Sequence, residues 1–397
     1  MNQTAIKFTP SSEDIKSSNF ETLQASSQMK IFPTIAMMVK HAHSHGASDI
    51  HIRVGEVIRY RIRGQMIPVQ NVAPLNSDLF QDYLNEILKP HQITTFIDNQ
   101  ELDAAIFYPG FLRVRVNCFE TLTGGAMVLR LISLKVPSID ELELAPVLKN
   151  LMSEHQGLIL VTGPTGSGKS TSLAAMIRYL NDNERKHIVT IEDPIEYVHS
   201  SNQCLVSQRE IGLHTHDYHG ALRSVLREDP DVILIGEMRD RDTINIALQA
   251  AQTGHLVLGT LHTRSAINAI NRLLNLYNPE EQTMMRVQIS ESLLAVIAQV
   301  LIPTTDNKRM AIQEILINTP AVQDYLMRGQ DEEAAQLMER DDMHGMQVMN
   351  QILYEQLLLG RVTIEEAYKI SSDPHDLDRR LRTGGFDQNR GAREVYN

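Results

Sequence analysis

The chain has only two cysteines, Cys118 and Cys204, in 397 residues, with no CxxC and no paired spacing. That scarcity excludes both a disulfide framework and a cysteine zinc site, and a reducing compartment is expected. Positive charge is also short: 37 Lys and Arg stand against 49 Asp and Glu, a formal net charge of −12. Non-specific binding to nucleic acid rests on neutralising phosphates with Lys and Arg, so the bulk charge argues against a nucleic-acid partner and leaves room only for a local basic groove. Long apolar runs are missing as well. The longest, Leu293 to Pro303 (LLAVIAQVLIP), is too short and too interrupted by Gln299 to span a bilayer, and is expected to form a buried helix. The N-terminal stretch MNQTAIKFTPSSEDIKSSNF lacks a basic segment followed by an apolar one. No secretory signal is read there, and a cytoplasmic protein is expected.

What is present is enough apolar material, 42% of residues, to bury a sizeable core in two domains with loose ends. Residues 1–28 are polar and poor in aromatics, so a flexible tail is expected, and likewise for 383–397. From Phe32 a helical stripe begins (Ile35, Met38, Val39, Ala42) with Gly46 placed as its C-terminal cap. Alternation then sets in at Ile50, Ile52, Val54, at Ile58, Tyr60, Ile62, and at Phe111 to Val116, as half-buried antiparallel strands require. This predicts a small α+β domain over 29–140. The string from Arg130 to His155 carries two prolines and short helical pieces and serves as the connection.

A second domain follows, assigned to 141–382. Continuous apolar runs at Leu158–Val161, Ile188–Ile191, Val232–Ile235 and Leu256–Leu261 alternate with helical segments, which predicts a doubly wound, mostly parallel sheet of the RecA-like kind. Ligand is then expected at the carboxyl ends of the strands. Beyond Glu280, Val287, Ser290, Leu294, Ile297 and Leu301 recur at helical spacing, so a helical C-terminal region is expected, with 331–342 as its acidic, solvated face.

Between the strand LILV and the helical string TSLAAMIRYL stands GPTGSGKS, Gly163 to Ser170, the strand, loop and helix context of a phosphate-binding loop. Gly163, Gly166 and Gly168 allow the backbone N–H groups to surround a phosphate, while Pro164, Thr165 and Ser167 complete the loop. Lys169 supplies a mobile cation for the β- and γ-phosphates of ATP, the Ser170 hydroxyl a ligand for Mg²⁺, and Thr171 a supporting contact. Hydrolysis also needs carboxylates for the Mg²⁺ shell and for the attacking water. VILIGE places Gly236 where an Asp is usual and Glu237 one residue later, so Glu237 takes the magnesium role. TIEDPIE ends another strand and puts Glu192, Asp193 and Glu196 in a loop near the nucleotide; Glu196 is the choice for general base. His262, in TLHT, is placed either to sense the γ-phosphate or as a structural histidine, and His255 is the more structural of the two. On FLRVRV, Leu112, Val114 and Val116 share one face, which leaves Arg113 and Arg115 pointing outward together. Arg59, Arg61 and Arg63 repeat the pattern. These arginines are either fingers for a neighbouring subunit's ATP or a solvated sheet face. The clusters HAHSH and HTHDYH are read as polar helix termini, since no third metal ligand is evident.

Taken together, GPTGSGKST, TIEDPIEY, SQREIGLHTHDYHGALRSVLREDPDVILIGEMRD and TGHLVLGTLHT resemble, in order, the Walker A motif, Asp box, atypical Walker B motif and His box of the secretion ATPases of type II secretion and type IV pili. ASDIHIRVG and FLRVRVNCF resemble that family's PAS-like N-terminal domain. The resemblance implies a homohexameric motor ATPase, peripheral at the inner membrane through a pilus platform protein and alongside paralogous pilus ATPases. It assigns catalysis to Glu196 and magnesium to Glu237. The direct passage from AQVLIP to RMAIQEILINTPA, without a CxxC insertion, is similar to the pilus-retraction branch, which implies twitching motility. An assembly or secretion ATPase and a non-hydrolysing regulator of a paralogous motor are the alternatives. Two departures stand out: AVQDYLMRG from Ala321 has Gln323 and Met327 where that branch carries arginine, and Thr123 replaces a common arginine.

Overall fold

A computed structural model describes residues 6–7, 33–340 and 343–383. The expected tails lie outside these residues apart from Ile6, Lys7 and Thr383. Ile6–Lys7 form a strand, β1, that pairs parallel with Val69–Gln70, so these two residues depart from a loose tail. The chain divides between Lys135 and Val136. The segment after that point is tied to the second unit, because Arg178 Nη1 donates to the Val136 carbonyl at 2.7 Å.

In the first unit the helix Ile35–Ser44 starts at Thr34, whose hydroxyl accepts from the Met37 N–H at 3.3 Å, and stops at Gly46 with φ 67°. Strands β2 (Ala47–Arg53), β3 (Arg59–Ile62), β4 (Gln65–Gln70), β5 (Glu101–Tyr108), β6 (Leu112–Thr121) and β7 (Gly124–Ser133) form, with β1, a sheet in the order β1-β4-β3-β2-β7-β6-β5. Every pairing except β1 with β4 is antiparallel. The expected alternation is observed: Ile50, Ile52, Leu112, Val114 and Val116 enter one core with Ile35, Met38 and Phe80.

The second unit is built on β8 (Gly157–Thr162), β9 (His187–Glu192), β10 (Leu205–Glu210), β11 (Val232–Ile235), β12 (Leu256–Leu261), β13 (Leu293–Pro303) and β14 (Arg309–Ile317), in the order β10-β9-β11-β12-β8-β13-β14. All neighbours are parallel except β13 with β14. Both faces are covered. Leu158 and Leu160 of β8 belong to one core, Ile159 and Val161 to the other, so a strand that reads as a continuous apolar run is explained by burial on two sides. Each such side chain contributes roughly 1.5–3 kcal/mol. Because β8, β9, β11 and β12 run in one direction, their carboxyl ends, Thr162, Glu192, Ile235 and Leu261, emerge on one edge of the sheet.

The expected helix over Leu293–Pro303 is not formed. The helix Pro279–Ser292 ends at Ser292, Leu293 turns extended (φ −69°, ψ 134°), and the run becomes β13, between β8 and β14. An interior strand hides both faces, so its sequence loses the alternation that marks a strand, and its unusual length imitates a helix. Helical spacing held only as far as Ser290, and Leu294, Ile297 and Leu301 lie on the strand. Beyond β14 the chain is helical, with Leu353 and Leu377 packed on Ile302 and Ile312. Among the described residues no helix is long and apolar enough to cross a membrane.

Candidate functional site

The loop between β8 and the helix Lys169–Asn183 takes the shape its glycines permit, with Gly166 (φ 80°) and Gly168 (φ 84°) in the left-handed region. Gly168 is followed at once by the helix, so the unpaired N–H groups of its first turn face the loop. Lys169 Nζ donates to the Gly163 and Pro164 carbonyls at 2.8 and 3.1 Å. Burial lowers the Lys169 pKa, and the Glu237 and Glu196 carboxylates oppose that effect. Thr171 Oγ1 shares a 2.9 Å hydrogen bond with the Tyr197 hydroxyl, which joins the helix to the loop after β9.

A cavity of ≈ 420 Å³ gathers the strand ends: Thr165, Gly166, Gly168, Lys169, Ser170 and Thr171 line it together with Glu192, Glu196, Glu237 and His262. Residues predicted to act together from four separate strings therefore share one enclosure. Glu196 is exposed within it, whereas Glu192 is recessed and accepts from Thr190 Oγ1 at 2.6 Å and Gln208 Nε2 at 3.2 Å. Burial raises the Glu192 pKa against those two bonds.

Glu237 is gripped on both oxygens, by Arg239 Nη2 at 2.6 Å and by His262 Nε2 at 3.2 Å. The Arg239 bond is the main cause that holds its carboxyl below the usual range, with burial opposing and His262 assisting. The missing Asp before it has a steric reason. A Cβ on Gly236 would lie 2.8 Å from the Tyr218 hydroxyl and 3.1 Å from the Ile191 carbonyl, so a side chain there would have to displace Tyr218 and press on β9. His255 sits at the other end of β12, where Nδ1 lies 3.0 Å from the Ala250 carbonyl at a helix terminus.

The first-unit arginines differ from expectation. Leu112, Val114 and Val116 do face the core, but Arg113 is only 7% exposed and does not stand outward with Arg115. Arg113 is in register with Phe107 of β5 and Ile132 of β7, and Arg115 with Ala105 and Arg130. Arg115 pairs with Asp103 at 3.5 Å, Arg59 with Glu56 at 3.3 Å and Arg61 with the buried Asp49 at 3.8 Å. Burial opposes ionisation of Asp49, but bonds from Arg130 and Ser48 outweigh it and hold the carboxyl low. Arg63 occupies a turn at φ 48°. In the histidine clusters, His41 Nδ1 bonds the Tyr60 hydroxyl at 3.2 Å and His214 Nδ1 accepts from the Glu210 N–H at 3.0 Å. Among the described residues no group of three or more His, Cys, Asp or Glu is arranged to hold a metal on its own. Sequence reasoning missed Tyr197, Tyr218 and Arg309, which also line the cavity, and Arg239, which bonds Glu237. It also missed Gln299, whose signal was visible as one amide in an apolar run.

The family described as Type II/IV secretion system protein matches residues 24–380. The type IV pilus retractation ATPase PilT of Pseudomonas aeruginosa is 41% identical over 342 residues, 86% of this chain and 99% of that protein. The type IV pilus ATPase PilU of the same organism is 39% identical over 340 residues, 85% of this chain and 89% of that one. A crystal structure of the pilus retraction motor PilT with bound ADP superposes with a TM-score of 0.82 at 38% identity, covering 87% of this chain and 99% of the other.

Proposed function

The chain belongs to the Type II/IV secretion system protein family, and on that premise we propose that it is a homohexameric motor that hydrolyses ATP to drive type IV pilus retraction and twitching motility. The observation that carries this reading is the single cavity that unites the loop Gly163–Ser170 with Glu196, Glu237 and His262. Likeness to PilT over 86% of this chain and 99% of that protein supports the retraction role.

The loop N–H groups and Lys169 hold the β- and γ-phosphates, and neutralise charge as it moves to the leaving oxygen. The Ser170 hydroxyl and the Glu237 carboxylate both line the cavity and are hard oxygen donors of the kind Mg²⁺ takes, Glu237 beside its bonds to Arg239 and His262; the ion would screen the phosphate oxygens. Glu196, a carboxylate exposed within the cavity, takes the proton of the attacking water. His262 reports the γ-phosphate through its bond to Glu237. Arg115, the more exposed of the β6 pair, is the candidate to reach a neighbouring subunit's nucleotide, and Arg113 contributes by holding that strand.

The motor would act from the cytoplasm on a platform protein at the inner membrane. Near-equal likeness to PilU favours, as a second reading, a pilus ATPase that works beside a paralogous motor. The pilus phenotype of a deletion strain tests the proposal. Retraction predicts surplus surface pili and lost twitching; loss of the pili themselves would establish an assembly role instead.

A further inference from the structure

Gln299 is the polar residue in the middle of β13, and it is 1% exposed. Burying a primary amide in an interior strand is costly unless its groups are paired. Here they are. Nε2 donates to the Ser167 carbonyl of the phosphate loop at 2.8 Å, and Oε1 accepts from Ser172 Oγ at 2.8 Å and from Gln313 Nε2 at 2.9 Å. Gln313, paired with Gln299 across β13 and β14, accepts in turn from the Ala145 N–H at 3.1 Å.

Two backbone groups whose roles cannot be exchanged anchor this relay. The Ala145 N–H only donates, so Gln313 must present its oxygen there and its NH₂ to Gln299. The Ser167 carbonyl only accepts, so Gln299 must present its NH₂ to the loop. Both amide orientations follow. The loop also rests directly on this residue: a Cβ on Gly163 would come within 2.2 Å of the Gln299 carbonyl oxygen, and one on Gly168 within 3.0 Å of its Nε2.

We propose that Gln299 is a positioning residue for phosphate binding, held in its one productive orientation by Gln313 and Ser172. A trans peptide unit carries its C=O and N–H on opposite sides. Binding the Ser167 carbonyl to β13 therefore turns the Gly168 N–H away from that strand and keeps a carbonyl dipole from facing the anion. The loop is paid for in advance as an N–H cradle instead of being rearranged by each nucleotide.

This inference rests on the nucleotide reading of the loop, and the test separates the two. ADP binding to the full chain is measured by calorimetry, with circular dichroism to show folding, for the wild type, Gln299→Met and Gln313→Met. Methionine keeps length and volume while removing the amide. Expected is about a tenfold weaker ADP complex for Gln299→Met and about threefold for Gln313→Met, with KM for ATP rising in step and kcat changing less. A merely structural role would lower the melting temperature and leave the folded protein's ADP affinity unchanged. A folded Gln299→Met that binds ADP within twofold of wild type overturns the proposal. If Gln299→Met does not fold, Gln313→Met decides: unchanged affinity there overturns it as well. A wild type that fails to bind ADP would instead overturn the nucleotide reading.

Discussion

The carboxyl edge of the second sheet and the arginine-bearing face of the first carry equally conspicuous polar residues, yet only the former brings them to one point. At the second edge, parallel strands deliver Glu192, Glu237, His262 and the loop after Thr162 to one cavity. In the first unit, the arginines of β3 and β6 are met locally by Glu56, Asp49 and Asp103, or are buried as Arg113 is. The difference lies in what enforces position. Parallel topology and glycine clearance leave the first group no alternative, whereas a period-2 charge pattern specifies a face and nothing about what that face meets.

The comparison can be broken most severely at Lys169. Lys169→Ala removes the one mobile cation of the loop, and nucleotide affinity should drop by roughly a hundredfold or more; retained binding by calorimetry would place the phosphates elsewhere. A smaller effect is expected from His199, which lines the same cavity and whose pKa burial pushes down from 6.5 to about 4. The unfolded chain takes up a proton near 6.5 and the folded one only near 4. Stability from this group is therefore complete above the unfolded value and is lost as pH falls between them, by about 2 kcal/mol from pH 7 to pH 5. Urea unfolding at pH 7 and pH 5 should show the decline, and His199→Gln should flatten it. Least of all should come from the first unit's surface. Arg59 and Glu56 are 46% and 49% exposed, so Arg59→Ala should alter unfolding free energy by no more than about 0.5 kcal/mol and leave turnover unchanged. A large loss of turnover would restore a functional role to that face.

How much of this was legible beforehand follows the same division. The four central strands, the phosphate loop and the acids at the strand ends could be read because each is local: an apolar run, a glycine spacing, a carboxylate at a strand terminus. β13 could not, because burial on both faces erases the period that distinguishes strand from helix. The burial of Arg113 is set by what packs on its face of the sheet, which a period-2 pattern does not specify, and the Gln299 relay joins Ala145, Ser167, Ser172 and Gln313, residues separated by up to 168 positions. Nothing in their spacing announces that contact. The Gly at 236 was legible as an oddity, but the Tyr218 hydroxyl that crowds it comes from a helix distant in sequence.

The central claim is that the cavity at the second sheet's edge hydrolyses ATP with Glu196 as base. Steady-state phosphate release by the full chain and by Glu196→Gln, each alongside ATP affinity, tests it most directly. The account predicts turnover in the wild type, a loss of at least about a hundredfold in the variant, and affinity within about threefold. A variant that turns over at the wild-type rate, or a wild type that binds ATP and never cleaves it, would contradict it.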